Sequence, residues 1–417
     1  MSTARTSYRI NRGLWLIATL LPIIIIPVKG IPDIFNVAKG PVLALGSLYL
    51  IYLLFKVKTQ LITRANLVLA IYLFFVLVSS FFAYKPLLAL VGMSNNAGRV
   101  EGFLTLFFYA VLFYASREHM RLTKKNIVFF FIVQSVVAVY AILQFYHIDP
   151  LVEYLNYNKG AYATIGNQNF LATLALLLLI SSSGFYLSEK KQHYIFFPMV
   201  FFGALLASNT RGCWLALIVI SLLSLYVLGY RMLWRRYLIL IGALFIMFFT
   251  MNLFSGSKIQ QRTKTIKREL NINNEWAGSG RALIWKMSYD IVKTHPFLGA
   301  GPENLKEALK QTKNKRAYSY GKLTGHTVDK AHNELLHIAA VSGIPALISY
   351  LLFILIIFIK QRRSIFKNKI KSVLAFAILA YLIQSLFNIS VIAVAPFFWI
   401  LLGLFAQESA KTTNPPT

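Results

Sequence analysis

Cysteine is almost absent from this chain: its 417 residues include one, Cys213. No disulfide can form within a single copy, and redox compartment leaves no mark on the sequence. Cys213 lies in an apolar segment and reads as a small core hydrophobe. Acidic residues are scarce as well, 14 against 43 Lys and Arg. His332 and His337 are five apart, not the four that places two ligands on one helix face, and no Cys or carboxylate cluster accompanies them. Neither a metal nor a cofactor is therefore expected. Repeats at a fixed period are lacking. Low complexity is confined to the polar tail 411–417, which reads as disordered. The first apolar run, Leu14 to Val28, has no small-residue cleavage site after it and is expected to stay as a helix.

What the chain has in quantity is apolar surface, with 57% hydrophobic and 14% charged residues. That composition excludes an ordinary soluble domain, and many runs approach the roughly 20 residues that cross a bilayer. The expected fold is an all-α polytopic membrane protein of about twelve transmembrane helices. The spans fall at 13–29, 40–55, 66–84, 102–116, 126–146, 168–187, 194–208, 212–230, 236–255, 334–359, 372–390 and 392–406. Segment 1–256 would carry nine spans and 332–410 three, with the long polar loop 257–331 between them.

Charge orients this layout. One alternating set of short connections, with the termini, carries 22 Lys and Arg, and the opposite short loops carry 6. Positive charge in short loops stays cytoplasmic, so both termini are expected inside and 257–331 outside. Most of the basic excess is thus topological and calls for no nucleic acid. The long loop itself holds 15 Lys and Arg against 6 Asp and Glu. Its field, at the outer leaflet, would attract an anionic substrate such as a lipid diphosphate, or the anionic headgroups of membrane lipids.

Inside the loop, Gly278-Ser279-Gly280 marks a break, and Arg281 to Thr294 has the apolar spacing of an amphipathic helix. Residues 295–302 read as a Pro- and Gly-punctuated turn. A second helix is expected over 303–316, facing solvent, and a mobile loop over 317–330. Arg211 sits between two apolar runs with almost no loop, near an interface where its fork could grip a diphosphate. Arg281 opposes the dipole of the helix it opens, a conflict that an anion held there would remove. His332 can act as a general base near neutral pH. Asn333, Glu334 and His337 lie beside it as substrate-binding candidates. Two further outer loops, with Arg99 and with Asn167 and Asn169, offer groups that suit sugar hydroxyls or equally helix capping.

Thr210-Arg211, Gly280-Arg281 with Pro296-Phe297-Leu298-Gly299-Ala300-Gly301-Pro302, and His332-Asn333-Glu334-Leu335-Leu336 followed by Gly343 resemble the O-antigen ligase and polymerase superfamily, in order over residues 160 to 400. The resemblance implies a metal-independent, GT-C-like glycosyltransferase of the bacterial plasma membrane. It would take glycan from an undecaprenyl diphosphate carrier to an extracytoplasmic glycan, lipid or protein acceptor. It casts Arg211 and Arg281 as diphosphate ligands and His332 as the base. Gly166-Asn167-Gln168-Asn169-Phe170 resembles a motif of the ligase and protein O-oligosaccharyltransferase branches, with Gln168 where proline is usual. A ligase is the leading expectation and a polymerase of lipid-linked repeats the alternative. A non-catalytic transporter fits less well, because the spans are almost free of charge.

Overall fold

A computed structural model describes residues 3–26, 34–57, 63–93, 99–149, 161–189, 191–228, 234–255 and 280–408. The expected disordered tail 411–417, residues 94–98 of the outer loop that carries Arg99 and residues 257–279 of the long loop lie outside the described residues. The membrane body comprises α1 (Thr3–Leu20), α2 (Lys39–Leu54), α3 (Arg64–Phe81), α4 (Pro86–Val91), α5 (Phe103–His119), α6 (Lys124–Phe145), α7 (Gln168–Ser188), α8 (Phe196–Ala207), α9 (Arg211–Leu228) and α10 (Trp234–Phe254). After these come α11 (Arg281–Thr294), α12 (Leu305–Gln311), α13 (Lys315–Thr324), α14 (Glu334–Ser342), α15 (Ile344–Lys367), α16 (Lys369–Ser385) and α17 (Ala395–Ala406). All described regular structure is helical.

Five helices, α3, α6, α7, α10 and α15, are long and apolar enough to cross a bilayer. Burial ranks them: 72% of the apolar window of α7 is buried within the protein, against 11% for α10. α7 is therefore a central helix and α10 a peripheral one whose apolar side chains face lipid. Every residue of α17 is buried. At about 1.5 Å per residue its twelve residues fall well short of a bilayer core. The stretch 386–394 before it is non-helical and largely buried, with only Phe387 and Ser390 half-exposed among 387–394, a backbone state tolerated at membrane depth where protein surrounds it or a cavity is lined. α17 packs tightly on α5, since a Cβ on Gly403 would lie 2.4 Å from the Phe113 carbonyl oxygen.

Two buried lysines staple the bundle. The Lys39 Nζ donates to the carbonyls of Ile24, Phe35 and Thr164 at 2.9, 2.6 and 3.0 Å. Lys371 Nζ does the same for Leu404, Phe405 and Gln407 at 3.0, 2.7 and 2.7 Å, satisfying the carbonyl end of α17.

Three expectations change. The first span does not begin at residue 13: α1 starts at Thr3, so Arg5, Arg9 and Arg12 are helical, and it stops at Leu20 ahead of Pro22, which disfavours helix in the residue before it. The helix expected over 303–316 and the mobile loop over 317–330 are instead two helices, α12 and α13. α12 is not solvent-facing throughout, because Leu305, Ala308 and Leu309 form a buried stripe. α13 has no fully buried residue. Asn314 caps its start by accepting from Ala317 N and Gly325 closes its far end, while Ala317 and Tyr320 pack on the cap core and Arg316 pairs with Asp290 of α11 at 2.7 Å.

Finally, the span expected at 334–359 is broken at Gly343. Its first part, α14, packs with α11, α12 and the strap 325–333 into a core containing Met287, Ile291, Leu305, Val328, Ala331 and Ala340. This is the cap. The turn 296–301 latches it: Ala300 N and Gly301 N donate to the Ala340 and Val341 carbonyls at 2.9 and 2.8 Å, and Ile344 N to the Pro296 carbonyl at 2.8 Å. The Ala340 and Val341 carbonyls belong to the end of α14, where the helix itself supplies no donor, and Val341 also accepts from the Ser79 hydroxyl at 2.8 Å. The approach is backbone to backbone, and a Cβ on Gly343 (φ 89°) would meet the Phe297 carbonyl oxygen at 2.0 Å.

Candidate functional site

The exit of the cap places His332. Its backbone is left-handed (φ 49°), a cost that a non-glycine residue bears only where its surroundings fix it. Asn333 follows as the N-cap of α14, its side chain accepting from Leu336 N at 3.0 Å. That capping bond accounts for Asn333 without a substrate. The turn thrusts His332 among cations: burial, then the guanidiniums of Arg281 and Arg99, push its imidazole down to about 4, with Asp329 acting weakly the other way. The ring is neutral at neutral pH, and its Nδ1 is buried without a hydrogen-bond partner among the described residues.

Arg99 is engaged by Asp329, which accepts from its Nε at 2.8 Å and its Nη2 at 2.7 Å. Burial raises the Asp329 carboxyl, but Arg99 and Lys330 outweigh it and hold the group below its usual range. Arg281 opens α11 after Gly280, whose left-handed backbone (φ 80°) starts the helix abruptly. Its charge reaches both His332 and Cys213, and Cys213 stands two residues along α9 from Arg211. One turn on from Arg281, the Trp285 ring lies 6.4 Å from that of Phe387, and a Cβ on Gly212 would meet the same phenylalanine at 3.2 Å. The starts of α9 and α11 thus flank the non-helical segment ahead of α17. Three separate parts of the sequence bring Arg211, Arg281 and His332 to one end of the bundle.

The body supplies a polar wall. Asn167 caps α7 by accepting from Asn169 N at 2.8 Å. The Asn169 side chain accepts from the Thr210 hydroxyl at 3.4 Å and its carbonyl from Asn388 Nδ2 at 3.1 Å. Thr173 Oγ1 donates to Gln384 Oε1 at 2.9 Å. Through Thr210 this network fixes the start of α9, hence Arg211. Asn209 precedes it in a left-handed conformation (φ 53°) with its side-chain oxygen buried and unpartnered.

Below His332 lies a cavity of about 50 Å³ lined by Glu101, Lys330, Glu334, His337, Tyr350 and Ser390, among others. Glu334 Oε2 and His337 Nδ1 are also buried without hydrogen-bond partners among the described residues. A polar cavity of that size suits ordered water. Glu334 and His337 therefore belong to the floor of the site. What holds this floor does not stand out in the sequence. Glu303 Oε1 accepts from Lys330 Nζ at 3.0 Å and from Glu101 N at 3.1 Å, and both charged side chains of that ion pair are 2% exposed. Glu101 in turn accepts from the Tyr109 hydroxyl at 2.6 Å, and burial pushes its carboxyl up to about 7 against the pull of Lys330. The available signal was scarcity, because with 14 acidic residues in the chain each one outside a cytoplasmic loop calls for a partner.

The cap is fastened mainly by the segment 84–101. Lys85 N donates to Asn304 Oδ1 at 2.8 Å and Lys85 Nζ to Glu307 at 2.7 Å, while Tyr84 and His295 share a 2.9 Å bond. Arg99 and Glu101 add the contacts described above. Among the described residues no group of three or more His, Cys, Asp or Glu could hold a metal ion.

Residues 195–351 match the O-antigen ligase family, a region running from the start of α8 across the cap into α15. No curated protein matches the chain. That matched region contains Arg211, Arg281 and His332 together, and over it the chain is similar to the O-antigen ligase and polymerase superfamily.

Proposed function

We propose that the protein is a glycan ligase, moving an oligo- or polysaccharide from an undecaprenyl-diphosphate-linked donor to an acceptor hydroxyl outside a bacterial plasma membrane. The observation that carries this reading is the meeting of two arginine-bearing helix starts with a strained, neutral histidine under one cap.

In this reading Arg211 and Arg281 hold the donor diphosphate, and Arg99 and Lys330 add to the positive field. The acceptor hydroxyl attacks the anomeric carbon, the bond to the diphosphate oxygen breaks, and configuration inverts. The hydroxyl proton passes to His332 and then to the departing diphosphate or to water. A glycosyl diphosphate is already activated, so positioning and stabilisation of charge on the leaving group supply most of the acceleration. The electrostatics fit that order of events. Before donor binds, burial first and then Arg281 and Arg99 keep His332 a weak base. A diphosphate beside it opposes those charges and raises its basicity just when a base is needed.

The test is transfer in vitro from a purified lipid-linked donor. His332→Ala should lose transfer while inserting and expressing normally, and near-normal turnover would sink the base assignment. Chain growth from lipid-linked repeat alone, without added acceptor, would instead identify a polymerase.

A further inference from the structure

We propose a second anionic site at the end of the bundle opposite the cap: a groove on α1 that binds the headgroup of an anionic phospholipid. α5 sets the direction. It begins beside Glu101, whose backbone amide is tied to the cap, and ends at His119, whose Nδ1 is 3.0 Å from the Ser7 hydroxyl. Arg121 N donates to Asn11 Oδ1 at 2.9 Å. The N-terminal half of α1 therefore lies one α5 length, about 25 Å, from the cap.

There Arg5, Arg9 and Arg12 stand at helical spacing on one face, while Thr6, Ile10, Asn11, Leu14 and Ile17 bury the opposite one. With Tyr8, Gly13, Leu16 and Tyr49 the arginines line an open groove of about 550 Å³. None of the described lining residues is acidic. Residues 1–100 contain one acidic residue, Asp33, in the connection after the far end of α1. On the neighbouring α2 side, Lys56 lies 4.1 Å over the Tyr52 ring, adding a fourth cation beside Tyr52, whose hydroxyl is also within the field of Arg9.

The groove changes character along the helix. Its outer part is guanidinium and tyrosine, and its inner part is Gly13 and Leu16. That is the order of a phosphate followed by acyl chain. Three forks can bind phosphate oxygens bidentately, whereas orientation by positive charge needs only the number of charges and not their convergence. The tyrosines provide the amphipathic rims found at membrane interfaces. Free inorganic phosphate shares the headgroup's chemistry but would leave the apolar inner wall without a role.

The experiment is native mass spectrometry of the full-length protein released from detergent, with phosphatidylglycerol, phosphatidylcholine or inorganic phosphate added. Wild type should retain phosphatidylglycerol at least tenfold over phosphatidylcholine. The R5Q/R9Q/R12Q variant should lose that preference, and R362Q/R363Q, altering arginines elsewhere, should keep it. Because the triple glutamine change also removes orienting charge, R5K/R9K/R12K is measured beside it. That variant keeps the charge and should show an intermediate, several-fold loss. Equal lipid retention by wild type and both triple variants would overturn the site, as would complete displacement of the lipid by millimolar phosphate.

Discussion

Replacing Glu303 by Gln tests whether the buried ion pair holds the strap that carries His332. The substitution keeps size and an acceptor oxygen for Glu101 N, but removes the partner of a Lys330 ammonium that is 2% exposed. Breaking a buried pair on one side costs roughly 3–5 kcal/mol, because the remaining charge stays desolvated. The Glu101 carboxyl, already within the field of Lys330, offers part of the compensation, which places the cost near the lower end, about 3 kcal/mol. At about 1.4 kcal/mol per tenfold, local opening of residues 328–333 should rise by roughly two orders of magnitude. Hydrogen exchange of those amides in the detergent-solubilised chain reads this directly. Glu303→Gln with Lys330→Met removes both charges and should recover much of the protection. Exchange in Glu303→Gln within about threefold of wild type, or a double variant losing the sum of both single losses, would refute the pairing as the fastener.

The acidic limb of kcat/KM reports the base of the free enzyme, and for His332 it should fall near pH 4 to 5 instead of near 6.5; a limb at 6.5 would argue against this imidazole. Arg211→Lys and Arg281→Lys should each lower transfer at least tenfold by losing bidentate geometry, and full activity in both would reduce them to general electrostatics. Glu101 has a folded value, about 7, above its unfolded one, so its contribution is fully present below about pH 4.5 and lost as pH rises to 7. The difference in unfolding free energy between wild type and Glu101→Gln should therefore shift by about 3 kcal/mol across that window and be flat above it. Labelling of cysteines introduced in 303–324 should occur from outside and in 362–367 from inside, and the reverse pattern would invert the topology.

Much of the layout was legible because its causes are local. Apolar runs mark helices whatever they pack on, and α11 begins at Arg281 and ends at Thr294 as its apolar spacing and the preceding glycines required. Arg211, Arg281 and His332 stood out for a similar reason: charge beside apolar runs is costly and invites explanation. The division at Gly343 has one local signal, Pro345, which suits the first turn of a new helix, but the almost continuous apolar character of Leu335 to Ile359 reads as a single span. The cause is forty residues upstream in sequence, where the turn 296–301 meets the α14 carbonyls. Glu303 in an expected solvent-facing helix and Lys330 in an expected loop are likewise ordinary charged residues until the fold brings them together at 3.0 Å.

The break has a consequence that Gly343→Ala can expose. Because α14 packs on α11 and α12, His332 belongs to the cap with Arg281, while Arg211 belongs to the body. The site is then only as well aligned as the latch between turn 296–301 and α14. A methyl group at Gly343 would meet the Phe297 carbonyl oxygen at 2.0 Å in a left-handed backbone, and both penalties act on that latch. Strain of this kind costs about 1–3 kcal/mol in conformation alone, before the steric clash is counted. The expected result is a protein that still inserts, since α15 retains its full apolar length, yet loses transfer by at least tenfold and exchanges its Ala300 and Gly301 amides faster. Wild-type turnover with unchanged exchange would mean that α14 does not depend on the turn, and that His332 is positioned by the strap alone.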